Sequence, residues 1–197
     1  MMRSIPAARI AGIVMLLVLA ACGGREDTQV AIAQEGAPSN TLNICAIFAE
    51  RPQWRTHIET AALRYDMPVP VMMGIMWRES RFQQHASPGT TSAYGYSQAI
   101  NATWDWYKDS SGNRSARRDR FADAADFVGW YMTQTVRQNG LATSDSFAHY
   151  LAYHEGHRGF SLGTYWQKEF LLNAASQVQV MTGVYELQLN GCPSRSA

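Results

Sequence analysis

Apolar residues recur at helical spacing through most of the chain, and turn formers separate the runs. Trp54, Ile58, Ala61, Ala62 and Tyr65 fall on one face of a helix that must stop before Pro68. Pro70 suits the first turn of a second helix, from Val71 to about Gln84. The first half of that helix is apolar all round, the mark of a central, buried element. Residues 86–98 carry Ser, Gly, Thr, Pro and Tyr in irregular order and predict a loop or small hairpin. Asn101 is placed to cap a short helix bearing Trp104 and Tyr107. Phe121, Ala124, Ala125, Val128, Met132 and Val136 mark a further helix that stops at Asn139-Gly140. Phe147, Tyr150 and Leu151 mark a short one ending at Gly156, and Leu171 to Leu189 a long C-terminal one. The predicted fold is mostly α, with one irregular or small β lobe after the second helix.

The 197 residues suit one domain with an appended segment. Arg3 and Arg9 precede twelve uncharged residues, Ile10 to Ala21, which match the charged start and short apolar core of a secretory signal. A membrane span needs about 20. Leu19-Ala20-Ala21-Cys22 resembles the lipobox of bacterial lipoproteins, which implies diacylation of Cys22 as the new N-terminus. A plain signal cut near Ala21, leaving a thiol, is the alternative. The chain thus divides into a signal peptide (1–21), a lipidated Cys with a flexible tether (22–41), a folded domain (42–192) and a tail (193–197). With 17 basic against 16 acidic residues, and one fewer basic than acidic once Arg3 and Arg9 are removed, the charge offers nothing for nucleic acid to bind. In an oxidising compartment Cys45 and Cys192 are expected to pair, two buried free thiols being the alternative.

The chemistry centres on one carboxylate. Met72, Ile75, Met76, Glu79 and Phe82 follow the i, i+3, i+4, i+7 pattern, so Glu79 interrupts an otherwise apolar stripe. Burial penalises the charged form and raises the pKa, which keeps an acid protonated near neutral pH as a proton donor. Arg78 and Arg81, at i−1 and i+2, project away from it on an ideal helix. The competing arrangement sets Glu79 at the helix edge, paired to a surface Arg.

Arg78-Glu79-Ser80-Arg81-Phe82, Ser87-Pro88-Gly89, Gly95-Tyr96-Ser97-Gln98 and Ala152-Tyr153-His154-Glu155-Gly156 occur in that order. The sequence from about Ala61 to Tyr165 thereby resembles the soluble lytic transglycosylase domain family. In that family a Glu-Ser pair carries the catalytic acid, a Gly-Leu-Met-Gln segment lines the sugar groove and an Ala-Tyr-Asn-Ala-Gly segment places a Tyr beside the acid. The resemblance implies a lysozyme-like fold, similar to goose-type lysozyme, and lytic cleavage of peptidoglycan glycan strands with anhydromuramyl ends. No cofactor or metal and a monomer are expected, and the lipobox with Gly23 after Cys22 implies an anchor on the periplasmic side of the outer membrane. The resemblance assigns Glu79 as the catalytic acid, Tyr153 as its hydrogen-bonding neighbour and Gln98 as a contact to a sugar N-acetyl or hydroxyl group. Ser92 or Ser87 is expected beside the acid, Ser92 being favoured, and Tyr94 in the groove. Tyr96, Ser97, His154 and Glu155 depart from the family pattern, and Glu155 is a rival second carboxylate. A hydrolytic muramidase and a non-catalytic peptidoglycan-binding lipoprotein are the competing functions.

His154 and His157 are three apart across a Gly, unlike the i, i+4 pair of zinc proteases. The Arg114–Arg120 run is most simply a solvated loop, or else a patch that attracts stem-peptide carboxylates or anionic headgroups. Tyr94, Tyr96, Trp104 and Trp106 are either core or faces on which sugar rings stack.

Overall fold

The computed structural model describes residues 36–192. The signal-like run, Cys22, the first part of the tether and the tail 193–197 lie outside the described residues. Within them the chain forms α1 (Ile44–Glu50), α2 (Pro52–Tyr65), α3 (Val69–Ser80), α4 (Asn101–Ser111), α5 (Phe121–Asn139), α6 (Ser146–Ser161) and α7 (Glu169–Leu189). The fold is mostly helical, as expected. The irregular lobe is the turn-rich stretch from 81 to 100, closed by an isolated antiparallel bridge between Tyr94 and Ala99. None of the described helices is long and apolar enough to cross a membrane.

Helix α3 is the central element. Every residue from Val71 to Trp77 is buried, and the helix packs chiefly on α7 and also touches α2, α5 and α6. It ends at Ser80, four residues before the predicted end. Arg81 and Phe82 both adopt left-handed backbone, φ 52° and 60°. Each such residue costs about 1–2 kcal/mol. Against that, Phe82 becomes fully buried 6.0 Å from the Trp54 ring, worth up to about 3 kcal/mol. The Arg81 guanidinium also lies over the Trp77 ring. Trp54 in turn stacks on Phe121 at 4.0 Å and meets Tyr96 edge-on, which fastens the lobe to α2 and α5.

Other boundaries shift for local reasons. Asn101 is the first residue of α4 rather than its cap, and its N–H donates to the Ser92 hydroxyl at 3.1 Å. A side chain of the lobe therefore satisfies one of the free donors at that helix start. Helix α6 does not end at Gly156: φ 72° and ψ 160°, open to glycine, kink it there and it resumes to Ser161. Helix α1, seven residues capped by Asn43 on Ala46 N–H, is too short to show a period and was not predicted. Cys45 on α1 and Cys192 after α7 form the disulfide, with Cα atoms 5.3 Å apart.

Candidate active site

A cleft of about 490 Å³ opens where the end of α3, the irregular lobe, α5 and the kink of α6 meet. Glu79 enters it from α3, Gln98 from the lobe, Phe127 and Tyr131 from α5, and Tyr153 to Gly156 from α6. Four of the residues singled out in the sequence, Glu79, Gln98, Tyr153 and Glu155, are thus brought together from three distant segments.

Glu79 stands in the last turn of α3, just before the chain turns left-handed. Its residual exposure is toward the cleft, while protein atoms desolvate the carboxyl itself. That burial pushes its pKa up to about 7, against smaller opposing effects from a Tyr150 hydrogen bond and the Arg78 charge. Tyr150 is thus a phenol whose hydroxyl acts on the Glu79 carboxyl, and Tyr153 also feels its charge. Tyr153 donates to the Ser97 carbonyl at 2.6 Å and ties α6 to the lobe. The two tyrosines are one turn apart and share a face, so the helical register brings both to the acid. Tyr150 was legible in the sequence only as an apolar marker of the helix. Burial raises both phenols well above their ordinary range, and Glu79's charge adds to this, so both stay protonated donors.

Glu155, the other cleft carboxylate, has the opposite environment. Desolvation would raise its pKa, but Lys168 Nζ at 2.8 Å from both oxygens, the Thr164 hydroxyl and His154 Nδ1 at 3.2 Å lower it to about 2. Its side chain is only 4% exposed because these partners cover it, although little of the protein interior surrounds it.

Gln98 holds the lobe in shape. Its φ is +50°, and its amide nitrogen donates to Ala86 O at 2.8 Å and Gly95 O at 2.9 Å. Both donors being used, the amide oxygen is what this side chain can offer the cleft. Gly95 lies against the Arg118 carbonyl so closely that a Cβ would come within 2.1 Å of its oxygen. The Arg118 guanidinium donates to Ser92 O and Ala99 O, both at 2.7 Å, and to Asn101 Oδ1 at 2.9 Å.

The arginine run is therefore no solvated loop at this position: Arg118 clamps the cleft wall, while Arg117 pairs with Asp119 and Arg120 with Asp123. Arg118→Ala is expected to cost about 2 kcal/mol, the scale of charge-assisted hydrogen bonds. Urea unfolding reads the loss, and faster amide exchange at Gly95–Ala99 locates it.

The remaining sequence candidates lie off the cleft lining. Ser92 is occupied in capping α4, and Ser87 is exposed with its hydroxyl toward Gly89 N. The serine next to Glu79 in sequence, Ser80, is buried and donates its hydroxyl to Tyr96 O at 2.8 Å, which ties the end of α3 to the lobe. Tyr94 bonds His85 Nδ1 at 2.7 Å and lies under Arg118. Tyr96 and Trp104 are core, and Trp106 packs on Trp130. The aromatic lining comes instead from Phe127, Tyr131 and Tyr153. Phe127 and Tyr131 went unnoticed because helical periodicity cannot tell an inward ring that meets a cleft from one that meets the core.

Comparison with protein families matches residues 10–192 to the transglycosylase SLT domain. Neither curated proteins nor solved structures yield a match. The match covers most of the chain, and the Glu79, Gln98 and Tyr153 segments converge on one cleft, so this chain belongs to the transglycosylase SLT domain family, lytic transglycosylases that cleave the glycosidic bonds of peptidoglycan.

Proposed function

We propose that this protein is a lipid-anchored lytic transglycosylase that breaks the MurNAc-β-1,4-GlcNAc bond and leaves 1,6-anhydroMurNAc ends. The observation that carries this reading is the contrast between the two cleft carboxyls. Glu79 holds its proton up to about pH 7, whereas Glu155 is committed to Lys168 and stays ionised. Two-carboxylate hydrolysis needs a second group free to attack or to activate water. Glu155, bonded on both oxygens, is poorly suited to that.

In the proposed reaction Glu79 donates its proton to the glycosidic oxygen as the bond from C1 breaks. The substrate's own N-acetyl group shares the positive charge developing at C1. The ionised Glu79 then takes the proton of the muramyl 6-hydroxyl, whose oxygen bonds to C1. One carboxyl serves as acid and then base, no water is consumed, and the proton balance closes. The Tyr150 hydroxyl steadies the ionised form between the two steps, and Gln98 offers its amide oxygen to the sugar.

Mass spectrometry of products from purified sacculi tests the reaction: anhydro ends are expected. Reducing ends would assign a hydrolytic muramidase, and saturable binding without turnover a non-catalytic wall-binding protein. Tyr150→Phe removes a hydrogen bond that favours the carboxylate. The alkaline limb of the pH–rate profile should therefore move up by roughly one unit, with a lower maximum.

The anchor is proposed at Cys22, on the periplasmic face of the outer membrane. Cys22→Ala should release the protein from the membrane fraction or leave it unprocessed; unchanged fractionation would refute the anchor.

A further inference from the structure

Leu162, Trp166 and Phe170 are about two-thirds exposed, and they fall in the segment that runs from the end of α6 into the first turn of α7. Single exposed apolar residues are ordinary, whereas exposed rings tethered beside a cleft suit a ligand that extends out of it. This segment is joined to the cleft by specific bonds. The Glu155 carboxylate, itself a cleft-lining group, is bonded by Thr164 on one side of Trp166 and by Lys168 on the other. Trp166 is two residues from each, a reach of about 7 Å at most. Phe170 lies edge-on to the His154 ring at 5.9 Å, and His154 lines the cleft. The segment is also stiff: Phe160 stacks on Tyr165 at 5.3 Å and Tyr165 meets Trp166 at 4.8 Å.

We propose that this segment is an aromatic rim extending the sugar-binding cleft, in which Trp166 and Phe170 form a distal saccharide platform and Glu155, through Lys168 and Thr164, is the latch that holds it at the cleft mouth. The occupant is a further stretch of the same glycan strand. Aromatic faces stack on sugar rings, and the segment that carries them is bonded to Glu155 and packed on His154, both of which line the cleft. The proposal rests on a glycan occupying that cleft. It gives Glu155 a positioning role in place of a chemical one, and the ion pair persists at neutral pH because the carboxylate is held ionised down to about pH 2.

The test uses the full chain carrying Glu79→Gln, so that glycan binds without turnover, and two peptide-free glycan chains of alternating N-acetylglucosamine and N-acetylmuramic acid, a tetrasaccharide and an octasaccharide. Calorimetric titration should show tighter binding of the octasaccharide. Trp166→Ala, Phe170→Ala and Lys168→Ala should each weaken the octasaccharide by about three- to tenfold and leave the tetrasaccharide within about twofold. Phe170 and Lys168 are exposed enough that at least these two variants keep the fold, which melting curves verify.

Equal affinity for both lengths, or an octasaccharide unaffected by all three substitutions, overturns the platform. Equal loss for both lengths also overturns it, since that is distortion of the cleft itself. Loss of binding to phosphatidylethanolamine–phosphatidylglycerol vesicles with octasaccharide affinity intact would make the patch a lipid contact instead. If neither chain binds before the rim is altered, the cleft reading itself has failed.

Discussion

Glu79→Gln is expected to lower turnover of sacculi by about 10²–10⁴-fold, the usual worth of a general acid–base group, and at the same time to stabilise the protein above neutral pH. Gln fills the same space but has no proton to give or take. The stability effect follows from the raised pKa. In the unfolded chain Glu79 ionises near 4.5; in the folded protein it does so near 7. Between those values the folded state keeps a proton that the unfolded state has lost. The stabilisation from proton retention is therefore full below about pH 4.5 and lost as pH rises through 7. The resulting penalty of the buried carboxylate is about 3 kcal/mol at most, which Gln does not incur. Thermal melts of the two proteins should diverge in favour of the variant at pH 8 and converge toward pH 4. The rate of the unaltered enzyme should fall above about pH 7 as the acid loses its proton. Full activity in the variant, or a melting difference independent of pH, would remove Glu79 from the role.

Replacing Cys45 and Cys192 together by Ala should produce the largest stability change. The bridge spans 147 residues of sequence. In the chain-entropy account, closing such a loop destabilises the unfolded state by about 5 kcal/mol, less any strain in the native state. For a domain of this size the loss translates to roughly 10–20 °C in melting temperature. Activity at 25 °C should survive, because other bonds hold the same ends together. Gln188 accepts from Ile44 N–H at 2.9 Å and donates to Leu42 O at 3.1 Å, and the Tyr185 hydroxyl donates to Thr41 O. Scanning calorimetry of the double variant, and of the unaltered protein with reductant, measures the effect. A shift of only a few degrees would mean that these polar contacts already restrain the ends.

How much of this was legible in advance depended on the range of the interaction. The helices of Trp54, Phe121 and Leu171, the buried character of Val71–Trp77 and the irregular lobe were all readable, because periodicity and turn formers act within a few residues. So was Glu79 as a misplaced carboxylate, since one polar position in an apolar stripe is a local contradiction. The early end of α3 was not, because burial of Phe82 beside Trp54, a partner 28 residues away, decides it.

The sequence by itself determined the helical class, the place of Glu79 as a carboxyl in an apolar stripe and the order of the three segments that meet at it. Only the tertiary structure decided who surrounds that acid. Tyr150 joined Tyr153 in acting on the carboxyl, Ser92 was drawn off to cap α4, Arg118 was recruited from a run of surface charge to clamp the lobe, and Glu155 was neutralised by Lys168 across the α6 kink. Each outcome is a competition among donors and acceptors that come within hydrogen-bonding reach only after the helices pack. Hydrogen bonds and ion pairs fall off over such distances, and residue spacing along a chain does not report them.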